Sequence, residues 1–362
     1  MKNIKVNLFS PFLPYKTGIS TYSQDLTHFL SLEGIEVVKV NPTFWKMNKG
    51  LRVYSSRFAF AANKIVAMAS SLFYRCPETN DNIINHFQLS GGQHNYIILK
   101  YFNRVNGFRV ITVHENFYTR NFINPLDEIE QLRVIKESDL ILVHTNELRD
   151  KLQFMNKNIK VILHGVDIKR FDLNSKQAKK RLSLEGDVIA CIGFLLGYKG
   201  IENFIKAVKD IKATVLIVGS GPSLGRLKRL ANFLCPNKIR FISHVLDSIY
   251  PHYIAASDII AFPRFNSKGE ASGVLVQAMA AGTGIVANNI GCFREYLFPD
   301  RGVLIDTFNI NEFSSAIIKL LKDKELRERY GKKSRKFAKD VLDWKIIVKK
   351  HKDAYTSLLF KR

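Results

Sequence analysis

Short apolar runs bounded by turn residues alternate with helically spaced segments along nearly the whole chain, and this alternation constrains the fold more than any other feature. Ile4 to Leu8, Val37 to Val40, Ile83 to Asn85, Phe108 to Val113 and Asp139 to Val143 read as strands. Helical spacing falls between them, at Tyr22 to Leu30, near His94 to Asn103 and around Asp127 to Lys136. Strands that each lead into a helix bury both sheet faces only in a parallel, doubly wound α/β arrangement. A second series begins with Val188 to Gly193 and continues through Thr214 to Val218, Ile239 to Ile242 and Ile259 to Phe262. With 362 residues the chain is long for a single core, so two such sheets are expected.

Charge narrows the partners. Lys and Arg exceed Asp and Glu by 55 to 32, a net +23, which calls for an anion: a phosphorylated substrate, an anionic membrane or nucleic acid. The 46% apolar content is that of a globular protein. No acidic residue occurs between Glu36 and Glu78, where Arg57, Lys64 and Arg75 edge a helical stripe through Tyr54, Phe58, Ile65, Met68 and Leu72. That is the layout of an interfacial helix, and equally of a core helix whose cations snorkel. Cys76, Cys191, Cys235 and Cys292 lack paired spacing, which argues against a disulfide framework or a zinc site and suits a reducing cytoplasm. The chain opens on a strand and has no run of about 18 uncharged apolar residues, so neither a signal peptide nor a membrane span is expected.

Chemistry concentrates in residues 263–291. After the strand Ile259 to Phe262 comes a polar loop with Arg264, Lys268 and Glu270, then small and aliphatic residues from Gly273 suited to a closely packed helix. The first amides of a helix have no intrahelical acceptor and carry the positive end of its dipole. A phosphate or sugar hydroxyl can therefore dock at Ser272, Gly273 and Val274, and Gln277 shares the helix face. Gly18 occupies a similar strand-to-helix turn after the first strand. His114 directly follows the strand Arg109 to Val113, at the end of the sheet where ligands of such folds bind; His144 ends the next strand and is the weaker candidate. The G-x-G of Gly219-Ser220-Gly221 lacks the third glycine and the later acid of a dinucleotide site.

These residues resemble the retaining GT-B glycosyltransferases of family 4. The resemblance rests on Pro11 to Tyr22 (P-x-x-P-x-x-x-G-I-x-x-Y), His164-Gly165-Val166-Asp167 with Phe171, Gly219-Ser220-Gly221-Pro222, Glu270, and Ala278-Met279-Ala280-Ala281-Gly282. It implies two Rossmann-like lobes facing a cleft: residues 1–170 for the acceptor, 171–340 for the nucleotide-sugar, and 341–362 a helix returning to the first lobe. It further implies metal-independent transfer of a hexosyl group, with retention, from a nucleotide-diphosphate sugar such as a UDP- or GDP-sugar to a glycan or lipid-linked acceptor. The enzyme would be cytoplasmic or peripheral on the inner face of the cytoplasmic membrane, and nucleic acid is not expected as a partner. Glu270 and the amides of Ser272 to Val274 would hold the donor sugar, Lys199 and Gly18 the diphosphate, Val245 the base, Gln277 the ribose, and His114 would lie at the reacting centre. The sequence departs from the family at two places. Gln277 stands where a second Glu is usual, one residue short in spacing, and Phe194 occupies the place of a clamp Arg, with Arg264 or Lys268 as candidate replacement phosphate contacts. The alternative is a basic nucleic-acid- or membrane-binding protein on a catalytically silent GT-B scaffold.

Overall fold

A computed structural model describes residues 4–12, 17–41, 77–89, 101–115 and 125–360. The basic stretch that carries the interfacial-helix expectation, and most of the helix expected near residues 94–103, lie outside them. The chain divides into two compact units. One comprises Met1–Leu163, Lys268–Ala271 and Trp344–Arg362; the other comprises His164–Ser267 and Ser272–Asp343.

The first unit is built on a six-stranded sheet of β1 (Lys5–Phe9), β2 (Glu36–Val40), β3 (Ile84–Leu89), β4 (Phe108–Val113), β5 (Leu140–Val143) and β6 (Ile159–Val161), in the order β2-β1-β3-β4-β5-β6. Every neighbouring pair is parallel. Side chains alternate between the faces, as the two-residue period of a strand requires. Phe9, Phe87, Ile111, Val113, Ile141 and Val143 pack with Phe102, Val134 and Leu148. Val6, Leu8, Ile84, Val110, Leu140 and Leu142 pack instead with Tyr22, Leu26 and Leu30 of the Gly18–Leu32 helix and with Trp344, Ile347 and Tyr355 of the Trp344–Leu359 helix. Both faces are thus removed from water, at roughly 1.5 to 3 kcal/mol for each large apolar side chain so buried.

β3 is longer than the run of Ile83 to Asn85 that apolar content marks out, because it continues through His86 and Gln88. Both are fully buried and hydrogen-bonded, His86 to Thr112, Gln88 and the helix residue Tyr355, and Gln88 to His86. Buried polar groups with partners do not break a strand; they only hide it from a hydrophobicity reading.

The second unit repeats the plan with β7 (Val188–Ile192), β8 (Thr214–Val218), β9 (Ile239–Ile242), β10 (Ile259–Phe262), β11 (Gly284–Asn288) and β12 (Val303–Ile305), in the order β12-β11-β10-β7-β8-β9. Again every pairing is parallel. Ile189, Val215, Ile217 and Ile259 pack under Phe204, Ile205 and Val208 of the Ile201–Val208 helix and under Phe313 and Ile317 of the Ile310–Lys322 helix. In each sheet the strand order reverses once, between β1 and β3 and between β7 and β10. The helices leave on opposite faces there, opening a crevice at the carboxyl ends of those strands.

Candidate functional site

In the second unit the crevice is shaped by three loops that approach backbone to backbone. Past β7, the Gly193 amide donates to the Val218 carbonyl at 2.9 Å and the Leu195 amide to the Ser220 carbonyl at 3.0 Å. A Cβ on Gly219, whose φ is +142°, would stand 1.9 Å from the Gly193 oxygen, and one on Gly221 would stand 2.5 Å from the Leu195 oxygen. The glycines of Gly219-Ser220-Gly221 are therefore required by the loop after β7. Gly200, at φ +67°, is held as closely to the loop after β10, since a Cβ there would lie 2.1 Å from the Pro263 oxygen.

The short turn Gly197–Lys199 presents Lys199. Its ammonium lies 5.1 Å from the Tyr198 ring centroid. The Lys199 charge also partly opposes the burial that pushes the Cys191 thiol up to about 12. Phe194 is half exposed on the same loop.

The Gly273–Ala281 helix begins beside this loop, its N-terminus defined by Ser272, whose backbone is extended and whose Oγ accepts the Leu275 amide at 3.3 Å. That cap leaves the amides of Gly273 and Val274 without an intrahelical acceptor, at the positive end of the dipole. A methyl on Gly193 would come within 3.7 Å of the Val274 side chain, which ties this helix start to the end of β7. His164 flanks the same start, its Nε2 lying 3.6 Å from where a Gly273 Cβ would sit. Its Nδ1 is 2.8 Å from the Gly165 carbonyl, so Nδ1 carries the proton and Nε2 is the acceptor of the neutral ring. Burial pushes its pKa down to about 4, so the ring stays neutral near pH 7. Sequence reasoning took His164 only as part of the H-G-V-D run that carries the family resemblance, and its distance to Gly273 was not legible there.

Gln277 accepts a 2.8 Å hydrogen bond on Oε1 from the Tyr250 hydroxyl, which leaves its amide N–H groups as what it offers a ligand. Val245 lies half-buried in the loop after β9. Arg264 requires a correction. It is 2% exposed, donates from Nη2 to Cys292 Sγ at 3.0 Å and lies 4.6 Å over the Phe293 ring. The guanidinium is turned into the interior, not onto the loop surface where a phosphate contact was expected. Its backbone also serves the interior, since the Arg264 carbonyl accepts from Asn288 at 2.9 Å.

In the first unit, Gly18 opens the Gly18–Leu32 helix behind a capping box of Thr17 and Ser20. A Cβ at Gly18 would meet nothing within 4 Å, so the backbone there is open to approach. His114 follows β4 half-buried, its amide donating to Leu89 and its Nε2 lying 2.8 Å from Gln88 Oε1. Its ring lies 5.0 Å from that of Tyr22, edge to face, and 4.9 Å from that of His144. His144 is buried and bonded through Nδ1 to the Ile162 carbonyl, a structural setting. Glu270 and Lys268 also belong with this unit: Glu270 Oε2 accepts the Lys268 amide at 2.7 Å. Gly269 between them has φ +78°, packs on Leu148 and accepts Thr145 Oγ1 at 2.6 Å.

The structure thus gathers Lys199, Ser272, Gly273, Val274 and His164 around the crevice of the second unit, and places Gly18, His114, Lys268 and Glu270 in the first. Among the described residues no cluster of three or more His, Cys, Asp or Glu is placed to hold a metal ion, and no helix is long and apolar enough to cross a membrane.

Residues 172–337 match the family described as glycosyl transferases group 1. An uncharacterised glycosyltransferase of Methanocaldococcus jannaschii is 29% identical over 62% of this chain and 60% of its own length. A GDP-mannose-dependent monoacylated alpha-(1-6)-phosphatidylinositol monomannoside mannosyltransferase of Corynebacterium glutamicum is 29% identical over 51% of this chain and 52% of its own. The chain therefore spans between half and two thirds of the length of these curated relatives. Among solved structures, sucrose-phosphate synthase from Thermosynechococcus elongatus has a TM-score of 0.80 at 18% identity, covering 99% of this chain and 100% of that one. Anabaena HepE, solved with UDP-glucose, has a TM-score of 0.75 at 15% identity, covering 98% and 100%. At such identities the likeness is one of fold, and the fold of the paired parallel sheets is GT-B. Residues 172–337 of this chain are thus similar to the group 1 glycosyltransferases, and both units have the GT-B fold.

Proposed function

We propose that the chain is a retaining, metal-independent glycosyltransferase of family 4 that moves a hexosyl group from a nucleotide-diphosphate sugar to a glycan or lipid-linked acceptor. The observation that carries this reading is the helix start at Ser272, set at the strand-order reversal between β7 and β10 with Lys199 on the neighbouring loop. Two unpaired amides at a helix N-terminus and one ammonium suit a diphosphate. They also suit the charge that develops on it as the glycosidic bond breaks, which a preorganised site stabilises without reorganisation. Val245 serves the base, Gln277 the ribose through its amide N–H groups, Glu270 the sugar hydroxyls, Gly18 the diphosphate, Lys268 a phosphate oxygen, and His114 the reacting centre.

The relatives support the substrate classes: one acts on a phosphatidylinositol mannoside with GDP-mannose, and HepE was solved with UDP-glucose. A lipid-linked acceptor fits the net charge of +23, which draws a protein to an anionic cytoplasmic membrane surface by about 1 kcal/mol per cation near it. Calorimetry with UDP, GDP, UDP-glucose and GDP-mannose tests the reading. One nucleotide should bind, Lys199→Ala should weaken it by about 1 to 3 kcal/mol, and Phe194→Arg should tighten it. Absence of binding to all four, together with tight binding of RNA at the same ionic strength, would reject the transferase reading in favour of a nucleic-acid binder on a silent scaffold.

A further inference from the structure

One face of the first unit's sheet carries a line of polar side chains that donor binding leaves unexplained. On β3 the alternate residues are His86 and Gln88, and on β4 they are Thr112 and then His114, with Gln88 paired in register to Thr112. All but His114 are fully buried. His86 Nδ1 lies 2.7 Å from the Tyr355 hydroxyl of the Trp344–Leu359 helix, and His86 Nε2 lies 2.7 Å from Thr112 Oγ1. Gln88 Nε2 lies 3.1 Å from His86 Nε2, and Gln88 Oε1 lies 2.8 Å from His114 Nε2. The line therefore runs without a gap from Tyr355 to His114.

The orientation of the Gln88 carboxamide sets the sense of donation along it. A carboxamide has a donor end and an acceptor end. Gln88 turns the donor end to His86, so His86 Nε2 is an acceptor, and the single proton of that neutral ring sits on Nδ1, pointing at Tyr355. Burial, with His351 and His144 nearby, holds His86 well below the usual histidine range and so keeps the ring neutral. The acceptor end of Gln88 then faces His114 Nε2, which must donate.

We propose that Gln88 is a positioning residue, locked by His86, that holds the proton of His114 on Nε2 and makes Nδ1 the basic nitrogen of that ring. The inference rests on the reading of His114 as a group at the reacting centre. There a ring in the other tautomer would present an N–H where the reaction meets a lone pair, or the reverse. A second layer that fixes a tautomer is one way a sheet transmits order to a group at its end.

The test is the ring-nitrogen spectrum of the full chain labelled with 15N at histidine, recorded above pH 7, with a His114→Gln sample to assign His114 and a His86→Leu sample to assign His86. The expected result is opposite tautomers, with His114 protonated on Nε2 and His86 on Nδ1. In Gln88→Met the two His114 nitrogens should move away from the Nε2-protonated pattern. In Gln88→Glu, which keeps an acceptor toward His114, the Nε2-protonated pattern should persist; this variant and the wild type decide the matter if Gln88→Met does not fold. The proposal is overturned if wild-type His114 is protonated on Nδ1, if both rings share one tautomer, or if Gln88→Met leaves His114 unchanged. Nucleotide calorimetry on the same samples separates the two readings. Opposite tautomers without nucleotide binding would keep the positioning line and reject the transferase.

Discussion

Replacing Gly200 by alanine tests whether the candidate site is held together by backbone contact. Gly200 lies in the left-handed region at φ +67°, and an added Cβ would meet the Pro263 oxygen at 2.1 Å, the Pro263 carbonyl carbon at 2.9 Å and the Phe265 ring at 3.3 Å. Two of the three obstacles are main-chain atoms and cannot rotate aside. A left-handed non-glycine residue costs about 1 kcal/mol at the lower end of backbone strain, and overpacking against rigid neighbours about 1 to 3 kcal/mol more. We expect a loss near 3 kcal/mol, or a fall in Tm of roughly 6 to 12 °C for a unit of this size. Because the contact joins the loop bearing Lys199 to the loop that leads toward Ser272, nucleotide-diphosphate affinity should fall with it. Gly197→Ala is the control three residues away, where a Cβ meets nothing within 4 Å and φ is not positive. It should stay within about 0.5 kcal/mol of wild type. Urea denaturation followed by circular dichroism measures both. Equal stabilities for the two variants would refute the argument that these loops are fixed by main-chain approach.

Arg264→Met should lower stability by about 2 kcal/mol, through the lost Cys292 bond and Phe293 contact, while leaving nucleotide affinity within about twofold; a large loss of affinity with unchanged stability would restore Arg264 to the phosphate site. Glu270→Ala should reduce kcat/KM for sugar transfer by about two orders of magnitude, roughly 2 to 4 kcal/mol, and near wild-type turnover would remove Glu270 from the donor site. His351 is buried, with Nδ1 bonded to the Ile347 carbonyl, and burial lowers its pKa from 6.5 to about 4. Folded protein then binds fewer protons than unfolded between those values, so stability should decline by about 3 kcal/mol as pH falls from 6.5 to 4 and level off below. His351→Leu should flatten that decline in a pH series of denaturation curves, and an unchanged slope would assign it to other groups.

Strands such as Ile259–Phe262 and Thr214–Val218 were legible because they are apolar on both faces and closed by a turn residue. The helix start at Ser272 was legible for a different reason: a capping residue followed by glycine and aliphatic residues has few other uses. Arg264 was misread because a charged residue in a loop is usually solvated, and nothing local announces that Cys292 and Phe293, far along the chain, will enclose it. The G-x-G of Gly219-Ser220-Gly221 stood out in the sequence, but the cause of its bareness, the Gly193 and Leu195 carbonyls, belongs to another strand's loop.

The histidine line shows where a one-dimensional reading stops. His86 and Gln88 break the apolar run of β3 and shorten the strand in any count of hydrophobic residues, yet their two-residue spacing places both on one face, beside Thr112 and His114 on β4. A polar pair at that spacing inside an apolar run reads equally as a strand end or as a strand with a buried network. Only the parallel register between β3 and β4 and the arrival of Tyr355 more than 260 residues later, at a separation of 269 from His86, decide between them. An unpartnered imidazole and carboxamide would cost several kcal/mol in that interior, enough to prevent burial, whereas partnered ones specify which strands must lie side by side. The same residues that obscure the strand therefore select its neighbours, and they leave His114 at the sheet's carboxyl end with a defined ring nitrogen.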